Sequence, residues 1–205
     1  MARTGPFRVA INGYGRIGQC VLRALYENGY RDHLQVVAIN ELSDIDTIAH
    51  LTRYDSTHGR FRGDVAVAGS ELQVNGDRIR VLRHPDPADL PWRLLDVDLV
   101  LECSGAYSDR ATAQKHIDAG ARRLLFSQPA EADVDRTVVY GINDRELSAR
   151  DVIVAAGSCT TNCLVPVVQV LDQALGIEHG ATTTIHAAMN DQPVIDAYHH
   201  KDLRR

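Results

Sequence analysis

Read for alternating apolar and polar positions, the chain opens with a β-prone run over residues 7–11 that stops at Asn12-Gly13. Residues 16–27 then take up helical spacing, with Ile17, Val21, Leu22 and Leu25 expected on one face and Gly29 closing the helix. Residues 34–39 form a continuous apolar run of the length a buried parallel strand needs, so the pattern predicts a βαβ unit. Ser43, with Asp46 three residues on, predicts a capped short helix to about Leu51. Asn75-Gly76, between two β-prone runs, predicts a hairpin and therefore an antiparallel insert, followed by a proline loop at Pro85, Pro87 and Pro91. Strands are expected at 97–101, 123–126, 138–140 and 152–155, with a helix over 108–119 stopped by Gly120. Beyond Gly157 a helix is predicted from near Cys159 to about Leu175, ended by Gly176, and a β-prone run follows over 181–187.

Composition narrows the partners. The 205 residues hold 22 Lys+Arg against 27 Asp+Glu, a net charge of −5, which argues against a general nucleic-acid binder. With 44% apolar and 24% charged residues the chain reads as an ordinary globular protein, and no apolar run approaches the ~18 residues of a membrane span. The N-terminus has no signal-peptide core, and Cys20, Cys103, Cys159 and Cys163 lack the density of a disulfide scaffold, so a cytoplasmic location with reduced thiols is expected. The length accommodates one full domain and a remainder too short to fold alone.

Gly13-Tyr14-Gly15-Arg16-Ile17-Gly18 fits G-x-G-x-x-G, a weak pattern alone. Here it follows a strand, opens a helix and leads to a second strand ending at Asn40-Glu41, with Glu41 23 residues past Gly18. That context predicts a dinucleotide site in a Rossmann-type, doubly wound, mostly parallel α/β sheet. Gly13 would permit the turn, Gly15 would admit a pyrophosphate, Gly18 would let the helix pack closely, and the helix N-terminus would face the anion. Glu41 would accept from the adenosine ribose hydroxyls and would repel a 2′-phosphate, which favours NAD over NADP. Ser104-Gly105 and Ser127 end later strands on the expected ligand side, although ordinary loop serines look the same.

Ser158 is a plausible N-cap that puts Cys159 in the first turn of its helix. The helix terminus alone is too weak to make a thiolate. Moving a thiol from ~8.5 to ~6 takes about 3.4 kcal/mol, whereas a terminus supplies ~0.3–1 and at best ~2. A cationic partner is required, and His186 in Thr182-Thr183-Thr184-Ile185-His186 is the best candidate. Cys163 reads as a small core residue. A zinc site from Cys159, Cys163, His179 and His186 would have spacing that fits the common patterns poorly, so no metal is expected.

Three motifs in order, residues 12–18, Tyr54-Asp55-Ser56-Thr57-His58-Gly59-Arg60-Phe61 and Ser158-Cys159-Thr160-Thr161-Asn162-Cys163, together with the Cys159 to His186 spacing, resemble the glyceraldehyde-3-phosphate dehydrogenase family. The resemblance spans essentially the whole chain. It implies a dinucleotide domain over 1–157 and, over 158–205, the incomplete beginning of an α+β catalytic domain. It implies Cys159 as nucleophile and His186 as base; cofactor contacts at Asn12, Gly13, Gly15, Arg16, Ile17, Glu41, Ser104 and Ser127; and a backbone contact at Pro85. Ser158, Cys159 and Thr160 would line the substrate pocket, and Arg204 matches a phosphate-binding arginine. The segment from Met189 to His199 lacks the Thr and the Gly-Pro-Ser stretch usual in glyceraldehyde enzymes and looks like the branch acting on D-erythrose 4-phosphate. That implies 4-phosphoerythronate as product, by water rather than inorganic phosphate, in pyridoxal phosphate synthesis. A homotetramer is implied for the intact protein, and two alternatives stand beside this reading: a phosphorylating glyceraldehyde enzyme, or a nucleotide-binding module without turnover.

Overall fold

The computed structural model describes residues 5–187. Strand β1 (Phe7–Asn12) leads through the glycine turn into α1 (Arg16–Glu27), and β2 (Leu34–Asn40) lies parallel to β1. Next come α2 (Ile45–Arg53) and a small antiparallel pair, β3 (Tyr54–Asp55) with β4 (Gly59–Arg60). The insert is β5 (Val65–Ala68), β6 (Glu71–Val74) and β7 (Asp77–Leu82), with β6 antiparallel to both neighbours. The parallel part then resumes with β8 (Leu99–Glu102), α3 (Arg110–Asp118), β9 (Leu124–Phe126), β10 (Arg136–Thr137) and β11 (Ile153–Ala155), and α4 (Cys159–Leu175) follows.

One nine-stranded sheet runs in the order β10-β11-β9-β8-β1-β2-β7-β6-β5, parallel from β10 to β7. Because successive strand side chains point to opposite faces, Ala10 and Ala38 pack into one buried cluster with Val100, Phe126 and Ala113 of α3. Ile11 and Ile39 pack into the other, with Leu22 and Leu25 of α1 and Ile48 of α2. Helices on both faces make this a doubly wound α/β sheet with an antiparallel edge, the predicted fold class. The strand order reverses direction at β1, so a crevice opens between the carboxyl ends of β1 and β8, where such sheets bind ligands.

Several local expectations need correction. The buried face of α1 is Gly18, Gln19, Leu22, Arg23 and Leu25; Ile17 is half exposed, because it lies in the first turn beside the crevice rather than over the sheet. Arg23 fits there by lying over the Phe61 ring, 5.8 Å from its centroid, with Glu27 3.6 Å away. The α2 cap is Asp44, whose Oδ1 accepts from Thr47 N–H at 2.8 Å, not Ser43. Residues 97 and 98 precede β8, since Val97 donates to the Trp92 turn. The strand expected at 138–140 is β10, two residues earlier, and Tyr140 is exposed. Residues 181–187 form no strand: they are exposed and pair with no strand among the described residues. Cys163 is exposed, not core, because α4 buries none of its residues among those described.

No helix among the described residues is long and apolar enough to cross a membrane.

Candidate active site

The candidate site residues gather at two places. The first is the carboxyl edge of the sheet. Gly13 has φ +88, and a β-carbon there would lie 2.5 Å from Ser104 N and 2.8 Å from the Cys103 carbonyl carbon, so the turn after β1 and the turn after β8 approach as only glycine allows. Gly15 is the N-cap of α1 and supplies no side-chain cap, which leaves the first-turn N–H groups free of an internal acceptor side chain. A β-carbon on Gly15 would meet nothing within 4 Å. An open, uncapped helix start beside a strand crevice suits a pyrophosphate, so the residues present fit a dinucleotide.

Glu41 follows β2 and turns back onto the glycine turn: Tyr14 N–H donates to Oε2 at 2.8 Å, and Leu42 and Ser43 N–H donate to Oε1 at 2.7 and 3.3 Å. A carboxylate has about four acceptor positions, so capacity remains for a hydroxyl donor. The Arg16 guanidinium pairs with Asp55, and the Asp55 carboxylate also accepts Thr57 and His58 N–H at 2.8 Å each. Those N–H bonds and Arg16 hold Asp55 well below the usual carboxylate range despite its burial. Cys20 Sγ lies 3.9 Å from His58 Nδ1, which is 3.2 Å from Asp55 Oδ1, a grouping of metal-ligand types that the sequence had not singled out. Because its oxygens are committed to Arg16 and the turn, Asp55 acts as the tie between the β3–β4 turn and α1.

Asn12 is buried with its amide turned into the sheet: Nδ2 donates to Glu102 Oε2 at 2.6 Å and Oδ1 accepts from Asn40 Nδ2 at 2.7 Å. Asn40 also bridges to the backbone of His84, beside Pro85, whose carbonyl accepts the Tyr107 hydroxyl at 3.4 Å. Ser104 N–H donates to Glu102 Oε1 at 2.8 Å, and its hydroxyl bonds the same oxygen. Ser127 N–H donates to the Glu102 carbonyl at 3.0 Å, and burial pushes the Cys103 thiol up to about 11 against a smaller lowering influence of Ser127. Cys103 is thus a structural thiol.

The second place is the start of α4. Ser158 is the N-cap, its Oγ accepting from Thr161 N–H at 2.9 Å. Asn162 Nδ2 ties the helix back to the Ala156 and Ser158 carbonyls at 2.8 and 2.9 Å, which fixes the turn around Gly157 at φ +70. On this frame Cys159 Sγ lies 3.1 Å from His186 Nε2, and His186 Nδ1 lies 2.7 Å from the Ala187 carbonyl. A carbonyl can only accept, so Nδ1 carries a proton and Nε2 is the atom that takes the thiol proton. The imidazole, then the Thr160 hydroxyl and N–H, lower the Cys159 thiol. Cys159, Thr160 and His186 line an open cleft of about 560 Å³ between α4 and residues 182–187, and Cys163 lines it too.

Arg204 and the segment from Met189 to His199 lie outside the described residues. Sequence reasoning missed Glu102, Asn40, Asp55 and Asn162, whose partners lie across the sheet or in the neighbouring turn. Asp55 had a local signal, since an Asp opening a turn accepts N–H groups two and three residues on, as it does from Thr57 and His58.

Two family models match the chain. The one described as glyceraldehyde 3-phosphate dehydrogenase, NAD binding domain, matches residues 7–110, and the one described as glyceraldehyde 3-phosphate dehydrogenase, C-terminal domain, matches residues 158–205. The first covers the crevice with its glycine turn, and its description supplies the cofactor, NAD. The second begins at the Ser158 cap.

Proposed function

Since the chain belongs to the glyceraldehyde-3-phosphate dehydrogenase family of NAD-dependent oxidoreductases, we propose that it oxidises D-erythrose 4-phosphate to 4-phosphoerythronate through a thioester on Cys159. The observation that carries the chemistry is the 3.1 Å contact between Cys159 Sγ and His186 Nε2, with the Ala187 carbonyl holding the tautomer. His186 takes the thiol proton, and the thiolate attacks the aldehyde carbon. The oxyanion of the resulting hemithioacetal is stabilised by His186 Nε2–H and the Cys159 backbone N–H. NAD, when bound at the crevice, supplies the acceptor for the hydride that leaves this carbon. Once the hydride has left and the thioester has formed, His186 releases the former thiol proton from Nε2 to solvent. It then removes a proton from water as the water attacks the thioester and passes it to the departing thiolate, which frees the acid and restores the thiol.

Ser158, Thr160 and Arg204 are the proposed substrate contacts. Gly13, Gly15, Arg16, Ile17, Glu41, Pro85, Ser104 and Ser127 are the proposed cofactor contacts. Residues 1–157 form the NAD-binding domain in this reading and 158–205 belong to the catalytic one, with a homotetrameric assembly. The choice of the four-carbon aldehyde rests on Met189 and the segment to His199, which replace the Thr and Gly-Pro-Ser usual for glyceraldehyde enzymes. Turnover on both aldehydes with and without inorganic phosphate tests it. Phosphate-independent turnover with higher kcat/KM on erythrose 4-phosphate is expected, and faster phosphate-dependent turnover of glyceraldehyde 3-phosphate would overturn the substrate assignment.

A further inference from the structure

Four hydrogen-bond donors converge on the Glu102 carboxylate at the end of β8, where it is 1% exposed. Oε1 takes Ser104 N–H and the Ser104 hydroxyl; Oε2 takes Asn12 Nδ2 at 2.6 Å. The fourth is His116. Trp92 Nε1–H donates to His116 Nδ1 at 3.0 Å, and an indole N–H can only donate, so Nδ1 is unprotonated and Nε2 carries the proton. That Nε2 is buried without a hydrogen-bond partner and faces Glu102 Oε2 at 3.4 Å.

An acceptor-only group is needed at this position. A glutamine would turn an NH₂ either toward Ser104 or toward Asn12 and His116, so at least one pair would meet donor to donor in a buried place. The consequence runs to the crevice, because Asn12 precedes Gly13 and Ser104 is the residue against which Gly13 packs. Asn12 and Glu102 are register partners across β1 and β8, and Asn12 is likewise paired with Asn40 on β2. The hub therefore sets the separation of the two turns between which the cofactor is proposed to lie.

We propose that Glu102 is a positioning residue for the nucleotide site, holding Asn12 and Ser104 so that the crevice between β1 and β8 has the width NAD requires. This rests on the NAD reading of the crevice. It assigns Asn12 the same indirect role: its side chain faces Glu102 and Asn40, so its effect on the cofactor passes through the turn it anchors.

Calorimetric titration of the full chain with NAD tests the proposal, with iodoacetamide alkylation of Cys159 as the control. Glu102→Gln is expected to weaken NAD binding about tenfold or more, in line with one buried donor left unsatisfied. Alkylation at the start of α4 should stay within about twofold, which a general loss of structure would not allow. Exchanging the two groups, Asn12→Asp with Glu102→Gln, lets the amide NH₂ introduced on β8 donate to the carboxylate introduced on β1, while the amide oxygen still accepts from Ser104; His116 Nε2–H still faces that NH₂, so the recovery is expected to be large but incomplete. The exchange should restore affinity to within about threefold. If Glu102→Gln fails to fold, the exchange variant is the readout, and it must both fold and bind. Unchanged affinity in Glu102→Gln, or an exchange that restores neither folding nor binding, would overturn the proposal. Wild-type protein that binds no NAD would instead overturn the reading of the crevice.

Discussion

The carbonyl oxygen of Gly13 occupies the space into which a β-carbon at Gly18 would point, and Ile11 Cγ2 lies 3.2 Å from the same position. Backbone oxygen cannot swing aside as a side-chain tip can. Gly18→Ala should therefore push α1 away from the sheet and cost ~1–3 kcal/mol, the usual range for overpacking. Gly15→Ala should behave oppositely, since its β-carbon meets open space: stability within about 0.5 kcal/mol of wild type, but weaker NAD binding because the methyl stands at the helix start. Thermal unfolding and calorimetry on both variants read the contrast.

His186→Asn should return Cys159 toward an ordinary thiol. The imidazole is the largest influence lowering it, so at neutral pH the thiolate fraction falls when the imidazole goes. Each unit of upward shift reduces that fraction about tenfold. Iodoacetamide alkylation at pH 7 should slow in proportion to the lost thiolate, and its pH profile should move to higher pH. An unchanged profile would remove the Cys159–His186 pair from the mechanism.

Acid should loosen the Arg16–Asp55 tie. The folded carboxyl of Asp55 is depressed below its unfolded value, so its contribution is complete above about pH 4 and is lost as pH falls further. Asp55→Asn should be less stable than wild type at pH 7, with a flatter decline between about pH 4 and pH 2. Urea midpoints across that range measure it, and parallel curves for the two proteins would show the tie contributes nothing.

Ser158→Ala should cost ~1 kcal/mol through loss of the α4 cap. The Thr161 N–H loses its acceptor, so its hydrogen exchange should quicken more than that of amides in the middle of α4. Equal changes along the helix would show that the cap is not what fixes this turn. Cys159→Ala, by contrast, should abolish turnover and leave the NAD titration nearly unchanged.

The bounds of α1 and α4 are readable from the chain because both begin and end on local signals: a glycine turn or serine cap at one side, a glycine beyond the other. Hydrophobic runs were less informative about pairing. Val97 is buried yet hydrogen-bonds into a turn, and Ile185 sits in a β-prone run yet is almost fully exposed. Burial and strand pairing are different properties, and only the first is written in a residue's apolarity. At the site, Cys159, His186 and the glycine turn announce themselves by type and spacing. Glu102 does not: its bond to Asn12 spans 90 residues, and the Ser104 donors two residues on would suit a solvent-exposed carboxylate equally well.

Trp92, the one tryptophan in the sequence, is fully buried with its indole N–H bonded to His116. Its emission is therefore an internal gauge of the doubly wound sheet alone, while the segment carrying Cys159 and His186 has no indole and stays dark in that channel. Unfolding followed by tryptophan fluorescence and by helical circular dichroism will separate the two regions if they melt independently, and coincide if the cap and anchor around Gly157 couple them into one cooperative unit.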